Sequence, residues 1–175
     1  FEHCSITMRF VVPLFIRSQH HRHRTWAYNE ISRRYTSVDM KFYSPEKFRT
    51  QHKSNRQASN DELINPVLDS AYLGIGYESA SAAVSMQNTR SVNLYKAMVA
   101  AGVCREQARG VLPQNMYTEY YGTANLHNLL KFVSLRVHEG AQWEIQQVAK
   151  ACLQIARQHF PHAVHSYIKK HNMEL

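Results

Sequence analysis

Cysteine is scarce in this chain and poorly spaced for chemistry. The 175 residues include three, Cys4, Cys104 and Cys152, far apart and with no CxxC spacing. Such a set suggests neither a disulfide framework nor a zinc knuckle, and a reducing, cytoplasmic setting is expected. Glycine is also thin, at six residues. There is no GxGxxG and no GxxxxGKS/T, and Gly74-Ile-Gly76 is the nearest approach. A bound nucleotide would therefore lack a Rossmann or P-loop cradle. No apolar run approaches the roughly 18 residues of a membrane helix. No charged-then-apolar leader is read either, so no membrane association is expected. Acidic residues are outnumbered, 13 against 21 Lys and Arg, for a net charge of +8.

What is present is ordinary in bulk and unusual in one place. Hydrophobic residues make up 44% and charged residues 19%, as in a globular domain, and the length suits one domain with a proper core. The stretch from Arg17 to Tyr35, RSQHHRHRTWAYNEISRRY, holds five arginines, three histidines and one acid, Glu30. Like charges repel, and a buried, unpaired guanidinium is heavily penalised. An anion completes such a cluster, and arginine's planar fork suits phosphate. A solvated basic face and a nucleic-acid-binding module are the alternatives that the charge leaves open. The second would show a steep salt dependence.

Along the chain, residues 5–12 read as a strand ended by Pro13, and Leu14 to His20 as a short helix. The arginine cluster follows at the helix-to-loop transition, where free backbone amides are expected to help hold an anion. Residues 36–58 read as an exposed connection with a short strand near Met40–Tyr43. Ser59-Asn-Asp-Glu62 has the capping-box pattern and predicts a helix that carries Ile64, Val67, Leu68 and Ala71 on one face. Ala80–Ala83 continue it with a bend, and Val92–Ala101 are helical, stopped at Gly102. Glu106–Leu112 read as a short helix and residues 115–123 as a strand. Leu126–His138, Gln142–Gln158 and Pro161–Lys170 read as helices, with Ile145, Val148, Cys152 and Ile155 as the stripe of the second. The fold class is α+β, one domain over 1–175, with helices packed on a small, mostly antiparallel sheet.

Other constellations are weaker. His20, His21 and His23 sit among arginines that would repel a cation, and His159, His162 and His165 lack a fourth ligand, so no metal site is expected. Cys104 beside Arg105 reads better as a buried structural cysteine than as a thiolate, and Trp143 as core. Ser32, between Glu30 and Arg34, reads as a binding hydroxyl or a nucleophile.

Arg22-His23-Arg24, seven residues and then Ser32 form an RHR-x7-S pattern, extended by Gln19, Asn29-Glu30, Arg34 and Tyr35. Downstream come ARGVLPQNMYT (108–118), Asn125 and LRVHEGAQWEIQ (135–146). In these segments, in this order, the chain resembles the flavin-dependent thymidylate synthases. The resemblance implies reductive methylation of dUMP to dTMP, with 5,10-methylenetetrahydrofolate as carbon donor, FAD as hydride carrier and NADPH as reductant. It implies a homotetramer whose sites draw on several subunits, and no cysteine nucleophile. For FAD it implies Arg22, His23, Arg24, Glu30, Asn125, His127 and Lys131. For dUMP it implies Gln19, Arg22, Glu30, Ser32, Arg33, Arg34, Arg109 and Arg136, with Arg136 as the catalytic residue facing the uracil. The sequence departs from the family at Ala27, usually serine, at His127, usually arginine, and at Lys131, usually asparagine. The family's upstream segment, with a histidine and a hydroxyl residue near folate and flavin, is expected to be missing. A relative that binds FAD and dUMP without full catalysis is the remaining alternative.

Overall fold

A computed structural model of the chain describes residues 1–31, 40–56, 58–69 and 78–172. In chain order the elements are β1 (Ser5–Pro13), α1 (Leu14–His20), β2 (Ala27–Glu30), β3 (Phe48–Gln51), β4 (Ser59–Ile64), β5 (Val67–Leu68) and β6 (Glu78–Ser79). There follow α2 (Ala80–Ala100), α3 (Arg105–Ala108) with a 3-10 turn (Arg109–Val111), β7 (Tyr117–Asn125), α4 (Leu126–Arg136), α5 (Trp143–His159) and α6 (Pro161–His171). The class is α+β, as read from the sequence.

The central sheet is antiparallel in the order β1-β7-β2, so a strand from late in the chain joins the two earliest. Alternation decides which face is covered. Met8, Phe10 and Val12 of β1 and Thr118, Tyr120, Gly122 and Ala124 of β7 are buried, while the residues alternating with them are more exposed. Phe10 lies opposite Tyr120, and their rings stack at 5.0 Å. Gly122 lies opposite Met8, where an added Cβ would stand 2.9 Å from Phe10 Cε2 and 3.3 Å from Trp26 Cε3. The absent side chain makes room for those two rings.

The apolar stripes of α4 and α5 cover this face. Leu126, Leu129, Leu130, Phe132 and Val133 face Ile145, Ala149, Cys152, Leu153 and Ala156, with Val164 of α6 behind. Each such large apolar side chain contributes about 1.5–3 kcal/mol on burial. Asn125 caps α4 by accepting the Asn128 amide at 2.9 Å, so the strand-to-helix corner is fixed by a side chain. A second apolar cluster, around Tyr95, Ala108, Leu112 and Met116, joins α2 and α3 to the end of β7.

Several expectations are corrected. Residues 59–64 form a strand paired with Phe48–Gln51. The capping oxygen of Ser59 instead accepts from Arg49 Nε at 3.1 Å, and Asn60 Nδ2 reaches Thr50 Oγ1 and the Gln51 carbonyl across the pair, both at 3.1 Å. Val67 and Leu68 are likewise strand, paired with Ser79 and Glu78, while Ala71 lies outside the described residues. Near Met40–Tyr43 there is one bridge, Phe42 with Met116, and no strand. Ala80–Ala100 is one continuous helix, capped by Ser79 and followed by Gly102 at φ +92°. Cys104 and Trp143 are exposed, and Ile155 of the expected α5 stripe is 40% exposed because Ala149 and Ala156 take the buried face. No helix among the described residues is long and apolar enough to cross a membrane.

Candidate active site

The arginine-rich stretch is a tight turn built on a buried histidine. His20 closes α1 and is fully buried against the rings of Phe10, Trp26, Tyr28 and Phe132. Its Nδ1 lies 2.8 Å from the Tyr120 hydroxyl. Burial first, then the neighbouring histidines and Arg136, push its pKa down to about 3, so the ring is neutral. Tyr28 donates its hydroxyl to the carbonyls of His20, at 2.9 Å, and His23, at 3.1 Å, and pins the turn from both ends. The amides of Arg22, His23, Arg24 and Trp26 bond back to carbonyls of the same turn. They are therefore not spare donors for an anion, contrary to expectation. What the turn presents outward is the exposed side chains of Arg22 and Arg24.

The last residue of α4 meets this turn. Arg136 donates Nε–H to His23 Nε2 at 3.1 Å. Only a neutral imidazole with its proton on Nδ1 can accept there. Desolvation, then Arg136 and Lys131, hold the His23 pKa down to about 4, in agreement. His127 and Lys131, one helical turn apart on α4, are exposed. None of Arg22, Arg24, Lys131 and Arg136 has an acidic partner among the described residues.

A second group lies along β2 and β7. Glu30 accepts from Arg17 Nε at 3.1 Å and from Thr118 Oγ1 at 2.6 Å. The pair lines a cleft of about 460 Å³ that also includes Arg109, Gly110 and Gln114. Arg109 is exposed, with Nε 3.3 Å from the Glu106 carbonyl. Of the five arginines in the dense stretch, Arg17 is thus already neutralised. Ser32, Arg33 and Arg34 lie outside the described residues. Gln19 donates Nε2–H to Gln142 Oε1, next to the start of α5.

A family model for thymidylate synthase complementing protein matches residues 1–162. The chain belongs to this family. It is 42% identical over 149 residues to a flavin-dependent thymidylate synthase of Thermus thermophilus, across 85% of this chain and 51% of the relative. It is 35% identical over 173 residues to that of Thermosipho africanus, across 97% of this chain and 70% of the relative. It is 33% identical over 177 residues to that of Anaplasma marginale, across 99% and 57%. The chain therefore spans about half the length of the Thermus relative.

Among the sequence's departures, Ala27 is exposed on β2 opposite Thr123. Asn125 Oδ1 is occupied as the α4 cap, which leaves Nδ2 as its free donor. The residues that sequence reading missed are the supports: His20, Tyr28, Thr118, Tyr120, Gln142 and Glu144. Two of these, Gln142 and Glu144, stand inside the quoted LRVHEGAQWEIQ block, from which only Arg136 was drawn.

Proposed function

We propose that the chain carries out the chemistry of a flavin-dependent thymidylate synthase: reductive methylation of dUMP to dTMP, with 5,10-methylenetetrahydrofolate supplying carbon and NADPH the reducing equivalents. The observation that carries the reading is the 3.1 Å contact between Arg136 and His23. It supports bringing the RHR motif and the 135–146 block into one site, in a chain matched to the family over residues 1–162. The unpaired cations fit phosphorylated ligands. Arg22, His23, Arg24, Asn125, His127 and Lys131 would hold FAD, which supplies hydride transfer when bound. Gln19, Arg22, Glu30, Arg109 and Arg136, with Ser32, Arg33 and Arg34, would hold dUMP. The assembly adopted with this reading is the homotetramer that the resemblance implies, with sites drawing on several subunits. A cytoplasmic location follows from the same reading.

In this mechanism Arg136 places positive charge beside the uracil carbonyls and stabilises the enolate-like charge that develops as carbon 5 becomes nucleophilic. Neutral His23 accepts a hydrogen bond from the guanidinium Nε–H and so aims the remaining donors. Micromolar dUMP binding requires about −8 kcal/mol. Charge-assisted bonds contribute about 1.5–3 kcal/mol each, so three or four account for most of it.

Purified protein should be yellow or take up added FAD, and its flavin bands should shift when dUMP is added. A colourless protein that ignores FAD overturns the reading. Tritium release from dUMP labelled at carbon 5, with folate and NADPH supplied, separates an enzyme from a relative that only binds.

A further inference from the structure

A line of polar contacts runs from β3 to Gln19. Glu144 is half-buried near the start of α5. Its Oε1 accepts from Arg49 and, at 2.9 Å, from the Tyr43 hydroxyl. Its Oε2 accepts from Gln142 Nε2 at 3.0 Å. Gln142 Oε1 in turn accepts from Gln19 Nε2. Arg49 is held in place by stacking over the Trp143 ring, 4.4 Å from its centroid.

The polarity of this line is dictated by charge. Desolvation raises the Glu144 pKa, but the hydrogen bonds from its own backbone amide, Arg49, Tyr43 and Gln142 outweigh it, and the pKa lies below the ordinary carboxylate value. An ionised carboxylate can only accept. Gln142 must therefore turn its NH2 group to Glu144 and its carbonyl to Gln19. Gln19 must then turn its own NH2 group to Gln142. Either amide alone could be flipped without steric penalty, and only the fixed negative charge at the far end removes that freedom. Gln19 Oε1 is left as an acceptor, with the second Nε2 hydrogen beside it as a donor.

We propose that Glu144, acting through Gln142, fixes the hydrogen-bond polarity of Gln19 and thereby sets selectivity for a uracil edge over a cytosine edge. The inference rests on the reading of Gln19 as a nucleotide contact. Uracil offers N3–H, a donor, beside a carbonyl, an acceptor, and this matches the Oε1 and Nε2–H order that the relay imposes. Cytosine offers the reverse, a bare N3 beside an amino group. With ribose and phosphate held elsewhere in the site, a cytosine would set lone pair against lone pair and N–H against N–H. A site built to pair buried polar groups rejects such a mismatch strongly. Glu144 and Gln142 are positioning residues here and need not touch the ligand.

The test is isothermal titration of dUMP and dCMP into the purified protein, compared with Gln142→Met, Glu144→Gln and Gln19→Ala. Gln142→Met breaks the relay but leaves Arg49, Tyr43 and Glu144 joined, so it guards against a Glu144→Gln variant that fails to fold. The expected result is that the ratio of the two dissociation constants falls about tenfold or more in Gln142→Met, with dCMP unchanged or tighter. A purely structural role would weaken both nucleotides alike. If Gln19→Ala collapses the ratio while a folded Gln142→Met keeps it, the relay is overturned and the site reading stands. If Gln19→Ala leaves both affinities unchanged, Gln19 does not contact the base, and both fall together.

Discussion

Arg136 holds His23 by a bond that exists only while His23 is neutral, Nε–H to Nε2 at 3.1 Å. Behind it His20 is also neutral, its pKa held down to about 3 mainly by burial, and that of His23 to about 4. Unfolded, both would take up a proton near the ordinary histidine value of 6.5. As pH falls through 6.5 the unfolded chain therefore binds more protons than the folded one, and stability falls until the folded pKa values are reached. Above that window these groups have no effect.

His20→Phe tests this directly. Each such proton is worth at most about 1.4 kcal/mol per pH unit, and less for the half-buried His23, which water screens. Chemical denaturation at pH 7 and pH 5 should show a loss in the parent that is about 1–2 kcal/mol larger than in the variant. Equal losses in the two proteins would remove His20 as the cause.

Tyr28→Phe tests how the turn is held. It removes the hydroxyl that bridges the His20 and His23 carbonyls at 2.9 and 3.1 Å and keeps the ring that packs on His20 and His21. The expected change is a stability loss of about 0.5–1.5 kcal/mol together with roughly tenfold weaker FAD uptake, because the motif loses its fixed geometry. Fluorescence titration of FAD reads the second effect, and an unchanged affinity would show that the backbone bonds alone define the turn.

The three C-terminal helices were legible from their apolar stripes, and two strands of the central sheet from alternation in 5–12 and β-prone aromatics in 115–123, whereas its third strand, Ala27–Glu30, was not read. Alternation in 5–12 and the stripe from Leu126 to Val133 each survive into the buried face. Residues 59–68 were not legible, because a local capping pattern lost to a tertiary contact. Arg49 claims the Ser59 oxygen that a helix would have needed. The site divides in the same way. Arg22, His23, Arg24 and Arg136 could be named from motif residues, whereas His20 and Tyr28 act through a cage that exists only once β1, β2 and β7 are in register. The spare backbone amides expected of the turn fail for a related reason: a turn this tight satisfies them internally.

Gly122→Ala should be costly although it adds one methyl group. The new Cβ would sit 2.9 Å from Phe10 and 3.3 Å from Trp26, both in the buried cluster against which His20 packs. Overpacking of this kind costs about 1–3 kcal/mol. Adding Phe10→Leu should recover part of the loss, because it withdraws the closer ring. Thermal denaturation of the single and double variants checks this, and additive losses would place the strain elsewhere.

Cysteine chemistry can be removed without removing turnover. Cys152 is buried in the α4–α5 core, where burial pushes its thiol up to about 12. A thiol so rarely ionised is a poor nucleophile. Cys104 is exposed next to α3, and Cys4 is half-buried before β1. A triple variant, Cys4→Ser, Cys104→Ser and Cys152→Ala, should keep tritium release from labelled dUMP within a few-fold of the parent, with a stability loss set by the small cavity at position 152. Arg136→Ala, by contrast, should abolish release while FAD still binds, since on the proposed reading it removes charge at the uracil and leaves the FAD-side cations Arg22, Arg24 and Lys131 in place. A folded but inactive triple variant would restore a thiol mechanism. Retained turnover in Arg136→Ala would move the activating charge to another residue.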